Sequence, residues 1–296
     1  MRLSLALLVV VLVSGCKTVS PPPPEVQPTP STEAVVSEQE QKCPCYRDTH
    51  EQLQGTLWMQ TAAEYRVLAR ATYRAAGEAL PDALADPTWT AATEQTADPS
   101  RLRAAVILDL DETVLDNSRF QGEQVVRREP YSPTLWKDWV ELVQATDVPG
   151  AKEFLKSARD QKVAVFFVTN RTDKEEPFTI QNLTALGIQA TADEILSRGE
   201  NGWTSSDKTA RRQYVAERHR ILLLIGDDLG DFIPANLTPE KRVEEADKHT
   251  DWWGTRWFLL PNPMYGSWDR ALYNHEVLPD EEVLRRKRAL VEAFEN

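Results

Sequence analysis

Four short apolar runs, at 105–108, 163–168, 221–225 and 255–260, interrupt a chain that is otherwise patterned at helical spacing. The first three are apolar without alternation, which predicts strands buried on both faces, the kind a parallel sheet requires. The fourth, TRWFLL, reads as a further strand. Upstream, Leu57, Tyr65, Leu68, Thr72, Ala76 and Leu80 recur at three- and four-residue intervals and predict a helix over 53–80. Pro-containing residues 81–100 read as a connector. Further helices are predicted over 150–160, 176–186 and 280–294, and Ser205-Ser206-Asp207 has the composition of a helix start with Lys208 in its first turn. Strands alternating with helices argue an α/β fold around a parallel sheet. Residues 117–149 break the alternation. They are polar, Pro-punctuated and carry Phe120, Tyr131, Trp136 and Trp139, so they are expected to form a cap inserted over the strand ends.

The first 48 residues follow a different pattern. Arg2, an apolar run over 3–13 and Ser14-Gly15-Cys16 make the charged start, short apolar region and small-residue exit of a signal peptide over 1–15. The run is shorter than the ~20 residues a membrane span needs. Residues 16–48 are rich in Pro, Ser, Thr and Glu and predict an extended tether that buries too little apolar surface to fold. Cys43 and Cys45, one residue apart, receive no assignment. The remainder, 49–296, is expected to be the functional domain. Net charge is −12 over 296 residues, which argues against a nucleic-acid polymer as partner. With three Cys and four His there is little material for zinc. Oligomeric state is not legible.

The chemistry gathers where the strands stop. The first run ends in Asp109-Leu110-Asp111-Glu112-Thr113, the second in Thr169-Asn170-Arg171, and the third in Gly226-Asp227-Asp228-Leu229-Gly230-Asp231. Ligands of open α/β sheets collect at the carboxyl ends of strands. Crowded carboxylates there repel one another unless a cation offsets them, and hard divalent ions prefer such oxygen donors. Each residue taken alone has a blander reading: Thr169 as a turn residue, Lys208 as a solvated lysine, the acids as a solvated loop.

Taken together, D-x-D-x-T, then Thr, then Lys, then G-D-D-x-x-D resembles the four motifs of the haloacid dehalogenase (HAD) superfamily of phosphotransferases. More narrowly, ILDLDETVLDNSRF and ILLLIGDDLGDF are similar to the paired signatures of the class C acid phosphatases, bacterial lipoproteins that hydrolyse phosphomonoesters, 5′-nucleotides among them. Phe120 stands where that signature usually has Tyr, and Asp228 where it has Asn or Glu. The resemblance implies a HAD-like Rossmannoid three-layer fold with a helical cap and an N-terminal helical region. It also implies Mg²⁺ held by Asp109, the Asp111 main-chain carbonyl, Asp227 and Asp231. Asp109 would be the nucleophile, Asp111 the general acid and base, Thr169 and neighbouring Asn170 the phosphate ligands, and Lys208 the neutralising cation. Phe120, Trp136 and Tyr265 make a candidate slot for stacking a nucleobase, with core or cap packing the equal or better reading of each. Val13-Ser14-Gly15-Cys16 resembles a lipobox, which implies export and lipidation of Cys16 at a membrane, the outer membrane or periplasmic side of a bacterium. The expected function is Mg²⁺-dependent acid phosphatase or 5′-nucleotidase; a sugar- or aryl-phosphate phosphatase and a non-catalytic lipoprotein binding phosphorylated ligands are the alternatives.

Overall fold

A computed structural model describes residues 50–294. The proposed signal segment 1–15, the tether 16–48, Cys16, Cys43 and Cys45 lie outside the described residues. The fold is organised on β1 (Arg103–Leu108), the middle of a five-stranded parallel sheet. It pairs with β4 (Ala164–Thr172) and β6 (His219–Gly226), which pair in turn with the edge strands β5 (Ile195–Arg198) and β7 (Trp257–Leu259), in the order β5-β4-β1-β6-β7. Both faces are dry, and side chains of alternate residues enter separate cores. Val106 and Leu108 pack with Tyr73, Ala76 and Phe154 on one face, whereas Ala105 and Ile107 pack with Val215, Phe232 and Trp257 on the other. The first face is covered by α2 (Ala63–Ala85) and α5 (Ala151–Asp160), and the second by α7 (Thr209–Ala216). That is the expected three-layer α/β arrangement.

The N-terminal helical region departs from its periodicity. Where one helix is predicted over 53–80, the backbone turns extended at Ala62 and separates α1 (Leu53–Thr61) from α2. In compensation α2 runs on through Pro81 to Ala85, because Leu80 and Ala83 are buried against the sheet. Arg220 of β6 donates to the carbonyls of Ala83, Leu84 and Asp86, supplying the partners that a helix end lacks.

The insertion between β1 and α5 is a cap. A two-residue antiparallel ribbon, β2 (Leu115–Asp116) and β3 (Thr146–Asp147), brackets its base. Between them lie α3 (Ser118–Arg127) and α4 (Pro133–Leu142). Ser132 caps α4, its hydroxyl accepting from Leu135 N, with Pro133 at the first helical position. Gln60 of α1 donates to Ser118 O (2.9 Å), tying the cap to the N-terminal helices. Asn182 of α6 (Glu176–Ala185) accepts from Ala145 N and donates to its carbonyl, fixing the other end. The β2–β3 ribbon, β5, α8 (Pro239–Asp247) and α9 (Ser267–Ala271) lie outside the sequence expectations. The last helix, α10, covers Asp280–Ala289 rather than 280–294. Among the described residues no helix is long and apolar enough to cross a membrane.

Candidate active site

Asp109 follows β1 directly, and its N–H continues the ladder to Ile225 O (3.0 Å). The chain then doubles back tightly. Val114 and Leu115 both donate to Leu110 O, and Glu112 takes a left-handed conformation (φ 58°). Tyr73 of α2 donates its hydroxyl to Thr113 O (2.6 Å), so the helix beneath the sheet holds this loop. Across from it, β6 delivers Gly226 and then Asp227 and the short 3₁₀ turn Leu229–Asp231.

This juxtaposition brings the carboxylate oxygens of Asp109, Asp227 and Asp231 within 4.8 Å of one another. Asp227 accepts from Asn262 (2.8 Å) and from the Thr113 hydroxyl (3.2 Å), and Asp231 accepts from the Asp228 N–H (2.9 Å). Gly226 makes the approach possible: a Cβ there would lie 2.2 Å from Asp231 Oδ2. Lys208, at the N-cap of α7, donates from its ammonium to Asp109 and to Asp231 Oδ1 (2.6 Å). One ammonium against three carboxylates leaves negative charge in excess. Burial pushes the Asp109 carboxyl up to about 7 despite Lys208, with the Asp231 and Asp111 charges adding to the rise. Burial, then Asp231 and Asp109, raises Asp227 well above the usual carboxylate range. For Lys208 burial alone would lower the ammonium, but Asp109 and Asp231 outweigh it and raise it. Hard oxygen donors, close spacing and uncompensated charge fit a divalent cation. Asp109, Asp227 and Asp231 would hold it through side chains.

Asp111 belongs to a different group, because its side chain turns away from the triad. Oδ1 accepts from Arg171 Nε (2.9 Å), pairs with Arg171 Nη2 (2.8 Å) and accepts from Asn117 Nδ2 (2.9 Å). Asn117 is oriented in turn by Trp139 Nε1 (2.8 Å) and Arg171 Nη2 (3.2 Å), so two cap residues and one strand residue set the Asp111 rotamer. Thr169 is fully buried, with its hydroxyl accepting from Arg171 N (3.0 Å), while Asn170 and Arg171 line the cavity beside it. Arg211 donates to Thr169 O, Asn170 Oδ1 (2.8 Å) and Asp207 O (3.2 Å), welding the end of β4 to the loop that carries Lys208. Arg171 and Arg211, which hold the site together, carry no assigned role in the motif reading; Arg171 adjoins Thr169 and Asn170 in sequence, and Asn117 falls within the first signature, ILDLDETVLDNSRF. Asp228 adds its charge beside the cluster and contributes to the rise of Asp227. Its carboxylate accepts from Gly230 N, Ser267 N and the Ser267 hydroxyl, and so anchors the start of α9.

A cavity of about 920 Å³ opens at these groups, lined both by Asp109, Lys208, Asp227 and Asp231 and by residues of the cap. Phe120 meets Trp136 edge to face (5.0 Å, 81°), and Arg171 lies over the Trp136 ring (5.4 Å). Tyr265 faces them from the opposite loop, its hydroxyl donating to buried Glu112, whose carboxyl burial raises well above the usual range. All three aromatics expected to contact substrate therefore line the cavity, Phe120 and Trp136 packing on each other as well.

The chain matches the family described as HAD superfamily, subfamily IIIB (acid phosphatase) over residues 33–268. Its fold is similar to that of the class C acid phosphatase of Bacillus anthracis, at TM-score 0.75 and 32% identity over 84% of this chain and 100% of that one. The same Bacillus enzyme with tungstate bound matches at TM-score 0.74 and 31% identity, over 83% of this chain and 98% of that one. Acid phosphatase 1 of Solanum lycopersicum is 27% identical over 163 residues, which are 54% of this chain and 57% of the tomato protein, so the chain spans little more than half the length of that relative. The family match covers most of the chain, and it coincides with an acid cluster at the carboxyl ends of β1 and β6. This chain belongs to subfamily IIIB of the HAD superfamily, the acid phosphatases.

Proposed function

We propose that this protein hydrolyses small phosphomonoesters, nucleoside 5′-monophosphates in particular, in two displacement steps at Asp109. The observation that carries the reading is the separation of two aspartates only two residues apart. Asp109 sits among cations and carboxylates, and Asp111 is held 60 residues away in sequence by Arg171. Separate partners allow separate roles, and a cation held by Asp109, Asp227 and Asp231 would keep Asp109 ionised for attack. The tungstate bound by the Bacillus anthracis relative is a tetrahedral oxyanion like phosphate, which supports a phosphate site here.

In the first step an Asp109 oxygen attacks phosphorus, the ester P–O bond breaks, and Asp111 gives its proton to the departing alkoxide. In the second, Asp111 takes a proton from water as the water oxygen attacks phosphorus, and the bond to Asp109 breaks to release phosphate. Lys208 neutralises charge on the transferring group, and Asn170, which lines the cavity, offers its carboxamide donor to its oxygens. Asp109, Asp227 and Asp231 would hold Mg²⁺, which offsets the charge of the phosphate dianion when bound. Residues 1–16 further support export and anchoring through a lipidated Cys16.

Phosphate release from 5′-AMP, glucose 6-phosphate and phenyl phosphate, each with and without Mg²⁺, tests the reading. Mg²⁺-dependent turnover with 5′-AMP preferred is expected, and a sugar or aryl ester ranked first would replace the nucleotide assignment. Absence of turnover by a folded, Mg²⁺-binding protein would leave only the binding-protein alternative. Incorporation of labelled fatty acid, lost in Cys16→Ser, tests the anchor.

A further inference from the structure

Phe120 is not the only residue that α3 contributes to the cavity. Gln121 and Gln124 lie on the same helix, 4% and 1% exposed, and both line the cavity, as does Gln52 just before α1. In each of the three the carboxamide oxygen is buried and has no hydrogen-bond partner among the described residues. Seven side-chain atoms among the described residues share that condition, and three of them belong to glutamines that line this one cavity. A buried acceptor without a donor loses its hydration and receives nothing in return. At Gln121 and Gln124 packing therefore gives no reason for glutamine, since leucine would fill comparable space without the loss, whereas Gln52 also donates from Nε2 to Met264 O (3.3 Å).

The surroundings say what would complete them. The glutamines share the cavity with the aromatic surfaces of Phe120, Trp136 and Tyr265, and with Asp109, Lys208 and Asn170 of the proposed phosphate site. A carboxamide is both donor and acceptor, and rotation about its last torsion exchanges the two. The ligand that fits pairs a flat, stackable ring with hydroxyls or ring-edge groups that both give and accept hydrogen bonds. We infer that Gln52, Gln121 and Gln124 form a recognition wall for the leaving group, hydrogen-bonding the sugar hydroxyls or base edge of a nucleoside. This inference rests on the phosphomonoesterase reading of the same site and names what sets its preference. A site built to hydrogen-bond its substrate rejects analogues that leave its polar groups unpaired, so leaving groups without such atoms are the ones it disfavours.

The test compares kcat/KM for 5′-AMP and for phenyl phosphate, whose leaving group has a ring but no polar edge. Native enzyme, Gln124→Leu and Gln121→Leu are measured with thermal unfolding of each. The ratio of the two kcat/KM values, 5′-AMP over phenyl phosphate, is expected to fall roughly 10- to 100-fold in each variant. Unfolding temperatures are expected to hold or rise, since each substitution removes an unpaired buried oxygen. A ratio within about threefold of native in both variants would overturn the inference. So would a marked loss of stability in both, which would assign the carboxamides to the fold. Native enzyme that hydrolyses neither ester would sink the phosphatase reading itself, and this inference with it.

Discussion

Replacing Lys208 with methionine isolates the charge balance on which the site depends. Three carboxylates lie within 4.8 Å of one another, and at an effective dielectric near 20 each ionised pair at that distance repels by about 3.5 kcal/mol. The ammonium at 2.6 Å from Asp231 returns about 6 kcal/mol of attraction on the same scale, less the desolvation of a buried cation. Breaking a buried pair by deleting one partner costs about 3–5 kcal/mol, so Lys208→Met in the presence of a chelator is expected to lose about that much. For a domain of this length the loss corresponds to roughly 10 °C in unfolding temperature. The sign with pH follows from Asp109. Its folded pKa of about 7 lies above the ordinary 3.8, so the folded state holds its proton more tightly, and metal-free stability falls as pH rises between those values. The variant should therefore be close to native near pH 4 and furthest from it at pH 8, where added Mg²⁺ restores part of the difference. Differential scanning fluorimetry at both pH values, with EDTA and with Mg²⁺, reads this directly, and kcat should fall at least about 100-fold. An unfolding temperature in EDTA at pH 8 equal to native would refute the charge argument.

Two further perturbations separate the parts of the site. Gly226→Ala puts a methyl 2.2 Å from Asp231 Oδ2, so the carboxylate must leave the cluster. Mg²⁺ affinity measured by calorimetry should weaken at least roughly tenfold, as removal of a ligand does, and native affinity would show that Asp231 is not one. Arg171→Gln strips Asp111 of its guanidinium donors and leaves only Asn117. Loss of a positioned acid/base should lower kcat by roughly 10²-fold with 5′-AMP, and undiminished kcat would remove Asp111 from proton transfer.

What the sequence disclosed and what it hid divide along physical lines. Strands β1, β4 and β6 are buried on both faces and so appear as unbroken apolar runs, but β5 is a four-residue edge strand, Ile-Leu-Ser-Arg, with no such signature. The interruption at Ala62 leaves no trace because the residues on either side keep helical spacing. At the site, Asp109, Asp227, Asp231 and Lys208 were readable since their order along the chain follows the strand ends. Arg171 and Arg211 were not, because their partners are Asp111, Thr169 and Asn170, tens of residues distant, and an arginine after a strand is usually solvated. Asp228 shows the converse. It carries the same carboxylate as its neighbours, yet its bonds to Gly230 and Ser267 commit it to holding a loop, which only the local backbone path decides.

The central claim is that Asp109 takes the phosphoryl group. Its most direct test is acid quenching of Asp111→Asn enzyme during reaction with 5′-AMP and Mg²⁺, followed by mass spectrometric mapping of the Asp109 peptide. With the base that activates the hydrolytic water removed, the account predicts a phosphorylated Asp109 that accumulates in this variant and is absent from Asp109→Asn. Turnover by the native enzyme with no phosphoryl group on Asp109 in any variant would contradict it.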